Sequence, residues 1–200
     1  MTKNKLAGRP REFDKDNVLK NITELFWKNG YEGTSLSHII AATGLKKGSL
    51  YATFGDKHSM YIAAFESYES EIVNQTYQFL TNGEGDAFSR IQTFLFAPIE
   101  AVGTLNDRSG CFLCNASSDR ASLNPETSEM VQRAFNKLEQ GLVNALYEIK
   151  PTIDKQELAD KARWILAAYS GFRVMVRSGL PVESLTLAHK ELMISIKNSM

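Results

Sequence analysis

No apolar run in this 200-residue sequence approaches the roughly 18 residues that a membrane span requires. The opening stretch MTKNKLAGRPREFDKD is polar and basic. It holds no apolar segment of the kind that directs secretion, so a cytoplasmic location and no membrane partner are expected. Cysteine is scarce: Cys111 and Cys114 are the only two, too few for a disulfide scaffold in a chain of this length. The three histidines, His38, His58 and His189, are scattered, and no second cysteine pair accompanies them, so no metal site is expected. Sustained period-two alternation, internal repeats and low-complexity segments are all missing. So are a nucleophile elbow, a phosphate-binding loop and a paired metal-ligand motif; no cofactor is implied, and the expectation is a protein that is not an enzyme. A helical enzyme would have to assemble its site from residues distant in sequence.

What the sequence does contain is helical periodicity. Asp14 is placed to cap a helix with Val18, Ile22, Leu25 and Phe26 on one face, ended by Asn29-Gly30. Ser35 can cap a short second helix carrying Leu36, Ile39 and Ile40, and Gly44 ends it. A third short helix, about 47–54, follows almost at once. Asp56 can cap a longer fourth one with Tyr61, Phe65, Tyr68 and Ile72 inward. Farther on, Phe88, Ile91, Leu95, Ile99 and Val102 form a stripe around a kink expected at Pro98. Asn124-Pro125-Glu126 is a helix start: a cap, a proline in the first turn and an acid at the positive dipole end. Val131, Phe135, Leu138, Leu142, Leu146 and Ile149 recur after it at three and four residues. Asp154 opens a helix with Leu158, Ala162, Ile165, Tyr169, Phe172 and Val176 on one side. The last helix carries Leu185, Ala188, Leu192 and Ile196. The fold class is therefore all-α, with small helices first and long ones after.

Charge divides the same way. Residues 1–60 hold ten Lys and Arg against six Asp and Glu, while 61–200 hold thirteen against seventeen, so a neutral chain has a basic end. That end contains GLKKGSLYATFGDK, residues 44–57. Two short helices with a tight glycine-containing turn between them describe a helix-turn-helix. Its second helix enters the DNA major groove with its N-terminal residues nearest the bases. Lys46 and Lys47 suit phosphates and guanine acceptors. Gly48 lets the backbone come close, Ser49 serves phosphate or base, and the Tyr51 hydroxyl can bond a phosphate. Leu50 and Phe54, four apart, face inward. Lys57, at the start of the next helix, is placed for a phosphate. A helical adaptor using the same corner to bind protein is the competing reading; steep salt dependence separates a DNA binder from it.

TSLSHIIAATGLKKGSLYATFGDKHSMYIAAF closely resembles the N-terminal domain of the TetR family of transcriptional regulators. The shared features are Thr-Ser before the second helix, the Thr-Gly-Leu turn, Lys-Gly-Ser-Leu-Tyr-x-x-Phe, and Lys57. The upstream ELFWKNGYEGTS is similar to the family's first helix, and RSGCFLCNAS to a segment of one subgroup. Ile40 departs from the small residue many members carry. The close match spans roughly 10–65 of the 200 residues.

The resemblance implies a three-helix DNA-binding domain, taken as residues 1–57 with a basic arm, and a regulatory and dimerisation domain over 58–200. It implies a homodimer that reads a palindromic double-stranded DNA operator, as a repressor released by a small-molecule effector. The matching DNA positions are Ser35, Ser37, Lys46, Lys47, Gly48, Ser49, Tyr51, Thr53 and Lys57, with Lys47, Ser49 and Thr53 for base edges and Tyr51 and Lys57 for phosphate. Arg9 and Arg11 form an arm for the backbone or minor groove. The dimer surface is expected on the last two long helices, roughly 154–178 and 183–198, where Gly171 and Ala167-Ala168 permit close approach. Tyr68, Phe112, Cys111, Cys114, Trp164, Phe172 and Met175 are candidates for the effector pocket, with Arg163 or Arg173 able to select an anion. Cys111 and Cys114 are open to three readings: a metal half-site, a redox or electrophile switch helped by Arg108 and Arg120, or two small buried residues.

Overall fold

A computed structural model describes residues 13–200. Arg9 and Arg11 lie outside the described residues. Ten α-helices in chain order, and no strand, make up the described part. The first, α1 (Lys15–Gly33), starts on the Asp14 carboxylate, which accepts the Asp16 and Asn17 amides. Caps of this kind contribute about 0.5–2 kcal/mol each. At Gly30 the backbone turns to φ 71°, and the helix is broken there, as the Asn29-Gly30 pair predicts. The buried Thr34 hydroxyl then donates to the Gly30 carbonyl at 2.8 Å and secures the turn into α2 (Leu36–Thr43). Next come α3 (Lys47–Phe54) and α4 (Lys57–Tyr68), the latter capped by Asp56 through the Ser59 amide at 2.8 Å. Val18, Ile22, Phe26, Ile39, Leu50, Met60, Tyr61 and Phe65 are buried, so α1 to α4 share one core.

After α4 the helix passes through a π-helical turn, Glu69–Val73, into α5 (Asn74–Asn82). This turn corrects one expectation. Spacing places Ile72 inward with Tyr61, Phe65 and Tyr68, but Ile72 is 38% exposed and Val73 is 1% exposed. A π turn accommodates one extra residue, so the buried register slips by one position.

The remaining helices are α6 (Ala87–Leu105), α7 (Phe112–Ala116), α8 (Pro125–Ile149), α9 (Lys155–Arg177) and α10 (Val182–Ser199), with a second π-helical turn at Ser117–Ala121. Helix α8 packs against α5, α6 and α9, and α10 lies on α6. The stripes on α8 and α9 are buried as their spacing requires, with Phe135 and Ile149 half-buried at the edge. Helix α10 differs: Ala188 is exposed and the inward position belongs to His189. Its ring lies 3.3 Å from the Gln92 carbonyl and meets Phe96 edge-on at 5.2 Å, and burial lowers its proton affinity. Arg90 is the other buried basic residue. It bonds the Leu80 and Gly85 carbonyls and pairs with Glu148, closing the C-terminal end of α5.

Candidate nucleic-acid interface

The α2–α3 corner is held from within. Ser35 and His38 form a reciprocal cap: the Ser35 hydroxyl accepts the His38 amide, and His38 Nδ1 accepts the Ser35 amide. Gly44 closes α2 with φ 68°, a left-handed conformation that glycine adopts without steric penalty. Asn21 of α1 reaches the Ala42 carbonyl at 3.3 Å, and buried Leu50 and Phe54 fix α3 to its neighbours. With one face of α3 buried, the other is turned outward.

That outer face collects most of the expected contact residues. Ser37, Lys46, Lys47, Gly48, Ser49 and Tyr51 are exposed; Ser35, Thr53 and Lys57 are half-buried. Ser35 and Ser37 share a 2.7 Å hydroxyl contact. Lys47 Nζ lies 5.3 Å from the centre of the Tyr51 ring, so the two side chains form one unit. Among the described residues, Lys46, Lys47 and Lys57 have no ion-pair partner. The first turn of α3 has no side-chain cap, which leaves its N–H groups outward. A Cβ added at Gly48 would meet nothing within 4 Å. Glycine there costs helix stability, about 1 kcal/mol against alanine, with no packing reason inside the chain. Close approach of an external surface supplies one.

Spacing alone does not reveal the seam behind this surface. Tyr31, at the end of α1, has Lys57 Nζ 4.2 Å and the Arg120 guanidinium 3.7 Å from its ring centre. Arg120 sits in the second π-helical turn and also reaches Glu32 at 3.7 Å. His58 contacts Glu126, at the start of α8, at 2.9 Å. A side chain at Gly30 would collide with Asp119, so that turn seats directly on the glycine. Trp27 donates to the Gly110 carbonyl, and Asn115 donates to the Trp27 carbonyl at 3.0 Å. RSGCFLCNAS thus lies against the helix that supports the recognition corner. Local spacing carries no sign of this contact, because Arg120 is 89 positions from Tyr31 in sequence.

Within the C-terminal body the candidate pocket residues separate. Tyr68, Phe112, Cys111, Cys114 and Phe172 are buried. Tyr68 Oη lies 3.0 Å from Cys111 Sγ. The Cys114 thiol donates to Cys111, and this bond, with the Arg173 charge and the Tyr68 hydroxyl, lowers the Cys111 pKa against the opposing cost of burial. The same bond raises Cys114. Trp164 and Met175 correct the expectation: they are 39% and 43% exposed on the outer side of α9. They follow a different stripe from Tyr169 and Phe172, one turned away from the core. Arg163 is also outward, paired with Glu139 and Asp160. A cavity of about 280 Å³ is instead lined by α5, α6 and α9, through Phe79, Thr93, Phe94, Ala97, Tyr169 and Arg173. Cys114 borders a separate cleft of about 260 Å³ with Asn115 and Arg177. Among the described residues, no three His, Cys, Asp or Glu side chains are placed to hold a metal ion, and no helix is long and apolar enough to cross a membrane.

A basic recognition face without carboxylate partners among the described residues, on a helix-turn-helix corner carried by a larger helical body, fits a DNA-binding transcription regulator. Residues 18–64 match the family described as bacterial regulatory proteins, tetR family. The HTH-type transcriptional repressor ComR of Escherichia coli (strain K12) is 28% identical over 190 residues, covering 90% of this chain and 88% of ComR. A TetR transcriptional regulator from Chloroflexus aurantiacus J-10-FL has a similar structure, with TM-score 0.77 and 26% identity over 91% of this chain and 93% of that one. The TetR family regulator CifR, in a cysteine mutant complexed with double-strand operator DNA, shares the fold at TM-score 0.77 and 21% identity, covering 93% of this chain and 98% of CifR. The chain is thus similar to TetR-family transcriptional regulators, in sequence through residues 18–64 and in fold over most of its length.

Proposed function

We propose that this protein is a homodimeric, cytoplasmic repressor, with no enzymatic role, that leaves a palindromic operator when a small molecule occupies its regulatory domain. Residues 1–57 act as the DNA-binding domain and 58–200 as the regulatory and dimerisation domain. The observation that carries the reading is the outward α3 face, where the side chains of Lys46, Lys47, Ser49 and Tyr51 make no hydrogen bond or ion pair among the described residues and Gly48 leaves the backbone open. The names of ComR, a repressor, and of CifR in its operator complex support the same role.

The dimer surface follows from α9 and α10. Trp164, Ala167, Gly171, Val174 and Met175 recur at three and four residues on the outer side of α9. Leu187 and Ile194, seven apart, are 61% and 46% exposed on α10. Two such helices from each protomer bury these stripes in a four-helix bundle. Two recognition helices must then stand about 34–36 Å apart to enter successive major grooves. Effector binding tilts α4 and spoils that spacing, with a coupling of about 1–3 kcal/mol. Tyr31, clasped between Lys57 and Arg120, is the side-chain link between the DNA-facing lysine and the regulatory body.

The test is a titration of purified protein against the duplex upstream of its own gene and a scrambled duplex, at two salt concentrations. The expected result is salt-steep, sequence-preferring binding with two protomers per site. Equal weak binding to both duplexes, together with no preferred site in a random-sequence selection, would sink the regulator in favour of the adaptor.

The Cys111 geometry favours a second reading, the same regulator released by thiol modification. Alkylation of Cys111 Sγ by an electrophile would break the Tyr68 contact and push the 109–116 segment against Trp27. Cys111→Ser is expected to bind the operator normally but to resist electrophile-driven release. Release undiminished in that variant removes the thiol from the mechanism.

A further inference from the structure

The cavity between α5, α6 and α9 has an unusual combination of linings. Phe79, Phe94, Ala97 and Tyr169 make its walls apolar, and Arg173 is its one cation. Phe94 and Tyr169 stack at 4.1 Å with their planes only 17° apart, so one wall is a broad aromatic surface. Arg173 Nε donates to the Tyr169 hydroxyl at 2.9 Å. That bond fixes the guanidinium, which also lies 5.0 Å from the centre of the Tyr169 ring.

The terminal nitrogens of Arg173 have no hydrogen-bond or ion-pair partner among the described residues. A guanidinium carries five donors in a planar fork that matches a carboxylate. Placing such a group at an apolar cavity without a counter-ion is costly unless something else completes it. Asp107 feels its charge but forms no ion pair with it among the described residues, and the same charge helps to lower the Cys111 pKa. The remaining polar lining, Thr93 and its neighbours, is neutral, so a second negative charge on the ligand would go unmatched.

We propose that this cavity is the effector site and that it takes a small aromatic monocarboxylate, with its ring on the Phe79–Phe94 side and its carboxylate on the free edge of Arg173. The assignment rests on the effector-released reading above and supplies its ligand class. A hydrated inorganic anion fits less well, because it would leave the aromatic walls uncovered. A neutral aromatic fits less well, because it would leave the guanidinium unpaired. The pocket thus demands both parts at once.

The test uses the full chain without DNA and isothermal calorimetry with benzoate, 1-naphthoate, 1-naphthamide and inorganic phosphate. At least one carboxylate is expected to bind, and 1-naphthamide and phosphate to bind at least tenfold more weakly. Arg173→Gln is expected to weaken carboxylate binding at least tenfold, with partial recovery in Arg173→Lys. Ala97→Leu, which fills the cavity and keeps the charge, is expected to exclude the carboxylates, so the assignment stays testable if Arg173→Gln fails to fold. No binding of either carboxylate, equal binding of acid and amide, preference for phosphate, or affinity unmoved by both substitutions would overturn it. Operator titration separates the two levels. Carboxylate binding that depends on Arg173 but leaves operator affinity unchanged keeps the site and removes effector release. Release by other compounds, with no carboxylate bound, does the reverse.

Discussion

Lys47→Glu is expected to lower operator affinity by about a hundredfold or more while leaving thermal unfolding nearly unchanged. Lys47 is exposed at the first turn of α3 and has no ion-pair partner among the described residues, so its replacement disturbs no internal contact beyond the Tyr51 ring. A side chain that reads a base edge is worth about 1–3 kcal/mol per contact, and a dimer makes the contact twice. The new carboxylate also adds repulsion from the phosphates. Gly48→Ala is the companion measurement. No atom lies within 4 Å of the added methyl, so the fold gains helix propensity, while operator binding weakens if that backbone abuts DNA. Two outcomes would refute the α3 face: operator affinity within twofold of wild type for Lys47→Glu, or an unchanged salt slope for Lys46→Ala, Lys47→Ala and Lys57→Ala together.

Gly171→Arg is expected to turn the dimer into a monomer and to cut operator affinity by roughly two to four orders of magnitude through lost bivalency. Inside the chain there is room: a Cβ at Gly171 meets nothing within 4 Å, and the position lies on the outer stripe with Trp164 and Met175. Against a partner helix there is none, because small residues set how closely two backbones approach and a guanidinium would be buried unpaired. Sedimentation equilibrium at several concentrations reads the result, and circular dichroism confirms that the monomer is folded. A variant that stays dimeric would move the interface off α9.

The sequence showed the recognition corner because everything that shapes it is local. Asp14, Ser35, Gly44 and Asp56 act on backbone groups within four residues, and Leu50 and Phe54 meet through one helical turn. The DNA face is then whatever those two anchors leave outside. The regulatory half was legible as helices but not as a site. Trp164 and Met175 read as pocket candidates because size and apolarity do not say which of two stripes on α9 points inward. Ile72 and Ala188 were misplaced for a related reason: a π turn and a buried histidine both break the simple match between apolar character and helical phase.

By itself, the sequence determined the all-helical class, the helix boundaries set by its caps and glycines, and the basic, hydroxyl-bearing chemistry of the exposed α3 face. Those depend on interactions a few residues long, and such interactions survive in any fold that keeps the local pattern. Only the tertiary structure decided that Arg120 and Lys57 close on Tyr31, that the 109–116 segment seats on Trp27, and that Arg173 stands beside a cavity walled by Phe79 and Phe94. Each joins groups tens of residues apart. Their meeting is set by how long helices pack against one another, which periodicity constrains to a face and not to a partner.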